Sequence, residues 1–297
     1  MAYQTTNIAY HYTSIDTLLK LLDSIEENRF MFYGSYILYM NDPTEFKYGL
    51  DMVHSLLLPI ENELCVQNEI CLSRIWDDRE IREQHIDMFG EMFLLPFVVC
   101  FSNHKDFLPQ WITYGDNGKG VSLGFKIQDY CLIIKNGDYT TIDLTEFDEK
   151  QFHAIRVSYK RVSNKHVYNC ILRQMYKQYM GKISTIDAPN KIMTIQLDYL
   201  REIAFILSAL IKHKAYSYED ETRLLVPCSK MDDVKFRMNV KGQIIPYIKI
   251  GIETNRLKRI VLGPCCDFES TKLMIETRLR QAKISNVKII KSQIPFR

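Results

Sequence analysis

No cysteine pair in this chain has CxxC spacing and no histidine pair has HxxxH spacing, although its 297 residues include eight cysteines and seven histidines. An HxE…CxxC arrangement is missing as well, which removes the usual preformed zinc sites, because their ligands come at those spacings. GxxxxGK[ST] and a strand-linked GxGxxG are also absent, and the GxSxG spacing of Gly120-Val-Ser-Leu-Gly124 falls at the start of an expected strand and not at a strand-to-helix elbow, so P-loop, Rossmann and hydrolase-elbow chemistries have no motif here. Charge of one sign is lacking too. Lys plus Arg number 38 against 36 Asp plus Glu, with no long block of either, so electrostatics alone announces neither a nucleic-acid nor a membrane partner. No uncharged run approaches the roughly 18 residues that cross a bilayer, and no basic segment followed by an apolar one opens the chain. Several of the cysteines sit in apolar runs such as Val98-Val-Cys-Phe101, and the set reads as reduced core thiols, so a reducing cytoplasm is the expected home. Internal repeats, low-complexity tracts and linkers are lacking.

What is present is core. Hydrophobic residues make up 46% of the chain, enough for one large domain, expected to run over 1–297 with helical insertions near 44–93 and 164–213. Ala9-Tyr-His-Tyr-Thr13 reads as a strand, with His11 opposite Tyr10 and Tyr12. Ser14 caps a helix marked by Ile15, Leu18, Leu19 and Leu22. Arg29 to Tyr33 is extended and Gly34 is expected to break it; Asn41-Asp-Pro-Thr-Glu45 is a turn in which Asn41 or Asp42 caps the next helix. Pro59 is expected to interrupt that helix, and Ile81, His85, Met88, Phe89 and Met92 form a later helical stripe.

Pro96 to Ser102 fits a buried strand, Gln110 to Gly115 a short helical segment, and Asp116-Asn-Gly-Lys-Gly120 a turn before a strand from Val121 to Lys126. Residues 138–149 read as a loop or weak hairpin and His153 to Tyr159 as a strand. Helices are expected near 164–180 and 190–213, then strands at 243–250, 257–263 and 287–294, with a helix over 268–281. Helices inserted between strands, without regular alternation, predict an α+β fold with a mixed central sheet.

The most unusual stretch is Tyr216-Ser-Tyr-Glu-Asp-Glu-Thr-Arg-Leu-Leu-Val-Pro227. Read as a strand, it puts Glu219, Glu221 and Arg223 on one face, and three charges on one buried face demand partners. Either that face is wet or it does chemistry. The Ser102-Asn-His-Lys-Asp106 loop, flanked by Trp111 and Tyr114, is a second candidate.

Tyr10-His-Tyr-Thr-Ser14, Asn41-Asp-Pro-Thr-Glu45, Cys100-Phe-Ser102, Trp111-Ile-Thr-Tyr114, Gly118-Lys-Gly-Val-Ser-Leu-Gly-Phe125, Tyr216 to Arg223 and Val261-Leu-Gly-Pro264 occur in this order. Together they resemble the bacterial domain-of-unknown-function family 2971. More remotely, the order is similar to the ADP-ribosyltransferase fold of DNA-modifying toxins. That resemblance implies a histidine on an early strand for the nicotinamide ribose, matched by His11. It implies aromatics in the middle, matched by Tyr33, Tyr36 or Tyr39, and a glutamate on a late strand, matched by Glu221 or Glu219. The implied NAD site thus takes His11, Tyr10, Thr13, Tyr33, Tyr36, Asn41, Trp111 and Tyr114, with Glu221, Glu219 and Arg223 catalytic and no metal.

The implied function is that of an NAD-dependent ADP-ribosyltransferase or NAD glycohydrolase, an effector of toxin or anti-phage defence type. Its partners would be NAD, a nucleic-acid or protein acceptor and a regulatory partner, with no membrane. A second reading is a non-enzymatic module of a defence system that binds nucleotide, nucleic acid or protein, with Lys160, Arg161, Lys165 and Lys177, or Lys235 and Arg237, meeting phosphates. A third is a metal-dependent nuclease using Asp42, Glu45, Glu219 and Glu221.

Overall fold

The computed structural model describes residues 6–40, 42, 44–66, 70–81, 96–128, 133–135, 138–140, 153–157, 159, 165–185, 191–203, 207–226, 231–239 and 242–296. The order of elements is β1 (Thr6–Thr13), α1 (Ile15–Asp23), β2 (Arg29–Tyr36), α2 (Glu45–Glu63), α3 (Leu72–Asp77), α4 (Arg79–Ile81), β3 (Phe97–Ser102), α5 (Leu108–Thr113), β4 (Val121–Gln128), β5 (Ile133–Lys135), β6 (Asp138–Thr140) and β7 (His153–Arg156). Then come α6 (Lys165–Ile183), α7 (Ile192–Ile203), β8 (Glu221–Val226), β9 (Lys235–Met238), β10 (Ile244–Glu253), β11 (Leu257–Leu262), α8 (Phe268–Gln281) and β12 (Lys288–Lys291). The fold is α+β. Among the described residues a ten-stranded sheet runs β12-β11-β4-β1-β3-β2-β10-β9, with β8 pairing β3 and β7 pairing β8, and only β11 with β12 pairs parallel.

β3 is the branch point. Along one side it pairs with β8 from Phe97↔Val226 to Ser102↔Glu221. On the other it meets β2 at Phe97 and Val98 and β1 at Ser102, so β1 and β2 diverge between those positions. The divergence leaves the middle of β3 without a strand partner on that side. His11 fills the place: its ring Nδ1 is 2.9 Å from the Cys100 carbonyl, with Phe32 and Phe101 packed on it at 5.2 and 5.7 Å between ring centroids. A carbonyl only accepts, so Nδ1 carries the proton.

Antiparallel partners share a face. Pairing therefore puts Tyr10, Tyr12, Cys100, Ser102, Glu221 and Arg223 on one face, and His11, Tyr36, Phe97, Phe101 and Thr222 on the other. The His11 face is aromatic and apolar, with Phe30, Phe32, Phe101 and Phe125 in mutual contact and Leu18, Leu22 and Leu279 in the same core. The opposite face carries Tyr10, Tyr12, Trp111 and Val261 as a smaller cluster.

Several expectations are corrected. Gly34 lies inside β2, where a side chain would collide with Ile250, so the strand needs glycine's small size at that point. Pro59 lies inside α2, which continues to Glu63; burial of Leu56, Leu57 and Ile60 around it holds the helix despite the missing donor. Asp42 does not sit at the helix cap. Its carboxylate accepts from the backbone and hydroxyl of Thr44, which does. The expected charged strand begins only at Glu221, because Lys214–Glu219 is a 3-10 turn and Asp220 takes a left-handed conformation with φ of 40°. Of the helix expected over 190–213, Ile192–Ile203 is α-helix, residues 204–206 lie outside the described residues, and the chain from Ala209 to His213 is not helical. His85, Met88, Phe89, Met92, Asn41, Pro43, Lys160 and Arg161 lie outside the described residues, as do the side chains of Ile81 and Lys165.

Gly49 makes the contact that places α2. A Cβ there would run into the backbone of Ser208, so the helix rides directly on the 207–211 segment, one turn after Glu45 and one turn before Lys212. Gly49→Ala is expected to destabilise the fold by about 1 to 3 kcal/mol, the usual overpacking range, read as a drop in thermal midpoint. An unchanged midpoint would show that the two segments separate freely.

Candidate active site

Five charged side chains meet on the face of the sheet away from His11. Glu221 and Arg223 come from β8, Glu45 from the first turn of α2, Lys212 from the segment after α7, and Glu219 from the end of the 3-10 turn. The Lys212 ammonium stands between three carboxylates, 2.6 Å from Glu219, 3.1 Å from Glu45 and 3.3 Å from Glu221. Arg223, with no exposure at all, grips Glu221 with Nε and Nη2 at 2.9 Å each, pairs with Glu45, and donates Nη1 to the Ala209 carbonyl at 2.8 Å. Glu45 is the least satisfied member. Its oxygens lie within ion-pair reach of Lys212 and Arg223, but neither is in hydrogen-bond alignment.

A second ring of groups fixes these. The Glu221 amide donates to the Tyr159 hydroxyl at 2.9 Å, and the Ser102 hydroxyl to the Glu219 carbonyl at 2.9 Å. The Tyr114 hydroxyl lies 3.5 Å from Glu219 Oε1. Tyr216 places its ring 5.0 Å from the Lys212 ammonium and its hydroxyl in hydrogen bond with Asp42.

Three carboxylates against two cations leave one surplus negative charge, and the two β8-end acids divide it unequally. Burial would raise the Glu221 carboxyl, but the Arg223 guanidinium and Lys212 ammonium outweigh it and hold the group at about 2. At Glu219 burial wins: it raises the carboxyl above its ordinary value, the Lys212 charge countering only in part and the Glu221 charge pushing further upward. Cys100, enclosed beside Glu221, is pushed well up by burial and then by that carboxylate, so it is a thiol and not a nucleophile.

Of the residues singled out in the sequence, the structure gathers Glu45, Glu219, Glu221, Arg223 and Tyr114. Tyr10 and Trp111 adjoin them on the same face, Tyr10 accepting from Arg259 at 2.8 Å and Trp111 donating its ring N–H to Asp106 at 2.7 Å. His11, Thr13 and Tyr36 belong to the other face. Burial lowers the His11 imidazole, the Cys100 carbonyl opposing. Tyr33 is on β2, half exposed beside Tyr247, and Asn41 lies outside the described residues. Sequence reasoning missed Lys212, which could have been sought, because two acids and one guanidinium on a buried face require another cation; Glu45 had been grouped with Glu219 and Glu221 only as an oxygen ligand for a metal, and the structure pairs it with Lys212 and Arg223 instead.

Among the described residues no group of three acidic, histidine or cysteine side chains is arranged to hold a metal ion, and an ammonium stands where the acids converge. No helix among the described residues is long and apolar enough to cross a membrane.

Residues 110–224 match the family described as "Protein of unknown function (DUF2971)". The match bears out the family resemblance over that segment, which carries Trp111, Tyr114, Lys212, Glu219, Glu221 and Arg223. No curated protein and no solved structure matches the chain.

The unequal pair has a pH signature. Glu221, depressed in the folded state, contributes stability that is complete above the ordinary glutamate range and is lost as pH falls through about 2. Glu219, raised, works in the opposite sense: its contribution is present below the ordinary range and is lost as pH rises through its folded value. Glu221→Gln should therefore cost about 3 to 5 kcal/mol at neutral pH, because it leaves buried cations underpaired. Glu219→Gln should match or exceed wild type there and lose the decline above the ordinary range. Equal destabilisation in urea titrations of the two variants would show that the surplus charge is not on Glu219.

Proposed function

We propose that the protein cleaves NAD at the nicotinamide–ribose bond, as an ADP-ribosyltransferase or NAD glycohydrolase, with Glu219 as the working carboxylate. The observation that carries this reading is the convergence of Glu219, Glu45 and Glu221 on the Lys212 ammonium at 2.6, 3.1 and 3.3 Å, in which burial raises the Glu219 carboxyl while Arg223 and Lys212 hold Glu221 down. Acids driven apart in this way mark acid–base assignments. Glu221 is committed to Arg223 and Lys212, and the protein uses it to hold the cations in place.

In the proposed reaction the C1′–N bond breaks, nicotinamide leaves as a neutral base and the ribose carries an oxocarbenium-like charge. Ionised Glu219, steadied by Lys212 at 2.6 Å, opposes that charge and takes the proton of the attacking water or acceptor. Tyr114 brings its hydroxyl to 3.5 Å from Glu219, and Tyr216 places its ring against the Lys212 ammonium. His11 has no part in this site, because it faces the other side of the sheet. The motif resemblance to ADP-ribosyltransferase toxins supports the same substrate, and an effector role in defence, acting in the cytoplasm on a nucleic-acid or protein acceptor, belongs to this proposal.

Purified protein incubated with NAD, alone and with nucleic-acid and protein acceptors, should release nicotinamide. Glu219→Gln should slow release on the order of 10²- to 10⁴-fold, the range for loss of an acid–base group, while retaining wild-type stability. Binding of NAD without turnover in any mixture would favour the interaction-module reading. Absence of both binding and turnover in folded protein would overturn the proposal.

A further inference from the structure

We propose that the open face of β2, β10 and β9 binds a single-stranded nucleic acid. This is the same face of the sheet that carries Glu221, but strands away from it. In that direction pairing places Tyr33 opposite Lys249, Tyr247 opposite Ser35 on one side and Lys235 on the other, and Arg237 opposite Ile245. Tyr33 and Tyr247 stack with centroids 4.4 Å apart and planes 32° from parallel, and Tyr33 keeps 50% of its surface exposed. Two tyrosines left on an open sheet face form a platform for bases, which stack on aromatics regardless of sequence.

Cations flank the platform at both ends. Lys235 and Arg237 lie on the β9 side, exposed and without an acidic partner among the described residues; Arg237 donates to the Ser35 hydroxyl at 3.0 Å. Lys249, paired with Glu26 at 2.9 Å, lies beside Tyr33. Beyond it the Arg29 side chain lies flat across Gly251, which has no Cβ to obstruct it. The stripe thus alternates cation, aromatic pair and cation across three strands, which are about 4.8 Å apart. A phosphate chain with splayed bases meets charge and stacking in that order, whereas an apolar protein partner would leave Lys235 and Arg237 desolvated and unpaired. Duplex nucleic acid offers phosphates but no free base faces, so single strands should bind better.

The test is fluorescence anisotropy of labelled oligothymidylate and oligouridylate, about twelve nucleotides long to match the usual site sizes, over a series of salt concentrations. Wild type should bind, with affinity falling as salt rises by a log–log slope of about 0.7 per phosphate neutralised. The double variant Lys235→Ala with Arg237→Ala should lower that slope by about 1.4. Tyr33→Ala should weaken binding about tenfold and leave the slope unchanged. These side chains are exposed, so thermal midpoints should stay at the wild-type value. Binding to only one oligomer would assign DNA or RNA. Absence of salt-dependent binding to both, or binding indifferent to all three substitutions, would overturn the proposal. So would a concentration-dependent dimer abolished by the same substitutions, which would make a second copy the occupant.

Discussion

The Lys212 ammonium holds together parts of the chain that nothing in local sequence would join. Its three carboxylate neighbours come from the start of α2, the end of a 3-10 turn and the first residue of β8. Buried charges interact strongly because little solvent screens them, and they are tolerated only when nearly all are paired. The cluster therefore acts as a geometric condition: α2, the 207–213 segment and the head of β8 must all arrive before any one of these charges is accommodated. Arg223 extends the condition to the backbone by donating to Ala209.

Beneath the cluster, the branching of the sheet at β3 divides labour between its faces. On one side of β3 the pairing with β8 is continuous, and it delivers Glu221 and Arg223 beside Cys100 and Ser102. On the other, β1 and β2 part, and a neutral His11 supplies the hydrogen bond that a missing strand would have made to Cys100. An imidazole enclosed by Phe32 and Phe101, with its pKa depressed by burial, suits that duty and leaves the sheet closed on its apolar face.

Much of this was legible in sequence where a single element could be read alone. The Ser14 cap, the apolar run of β3, the alternation that separates His11 from Tyr10 and Tyr12, and the limits of α8 follow from local pattern, and the structure has them. The site was half legible. Glu221 and Arg223 share a face by strand alternation, as expected, but Glu219 joins them for another reason. Asp220 turns the chain in a left-handed conformation, and Lys212 rather than a shared strand face draws Glu219 in. A side-chain period cannot reveal a turn of that kind, and a cation nine residues before Glu221, or an acid on a distant helix, has no local signature. The Gly34 and Pro59 departures have the same origin, since close packing of Ile250 and burial of Leu57 override local preference.

Along one face of the sheet, burial alone decides what charge does. Where α2 and the 207–219 segment cover β3 and β8, Lys212 and Arg223 spend their charge on neighbouring carboxylates, and three acids against two cations leave one negative charge in surplus. Where β2, β10 and β9 lie uncovered, Lys235 and Arg237 stay solvated and retain their charge for a partner. A chain with almost equal numbers of acids and bases can thus hold an acid-rich buried cluster and an exposed basic stripe on the same face of one sheet. Near-neutral composition argues against a strong long-range field, but it sets no limit on what local segregation of charge can bind.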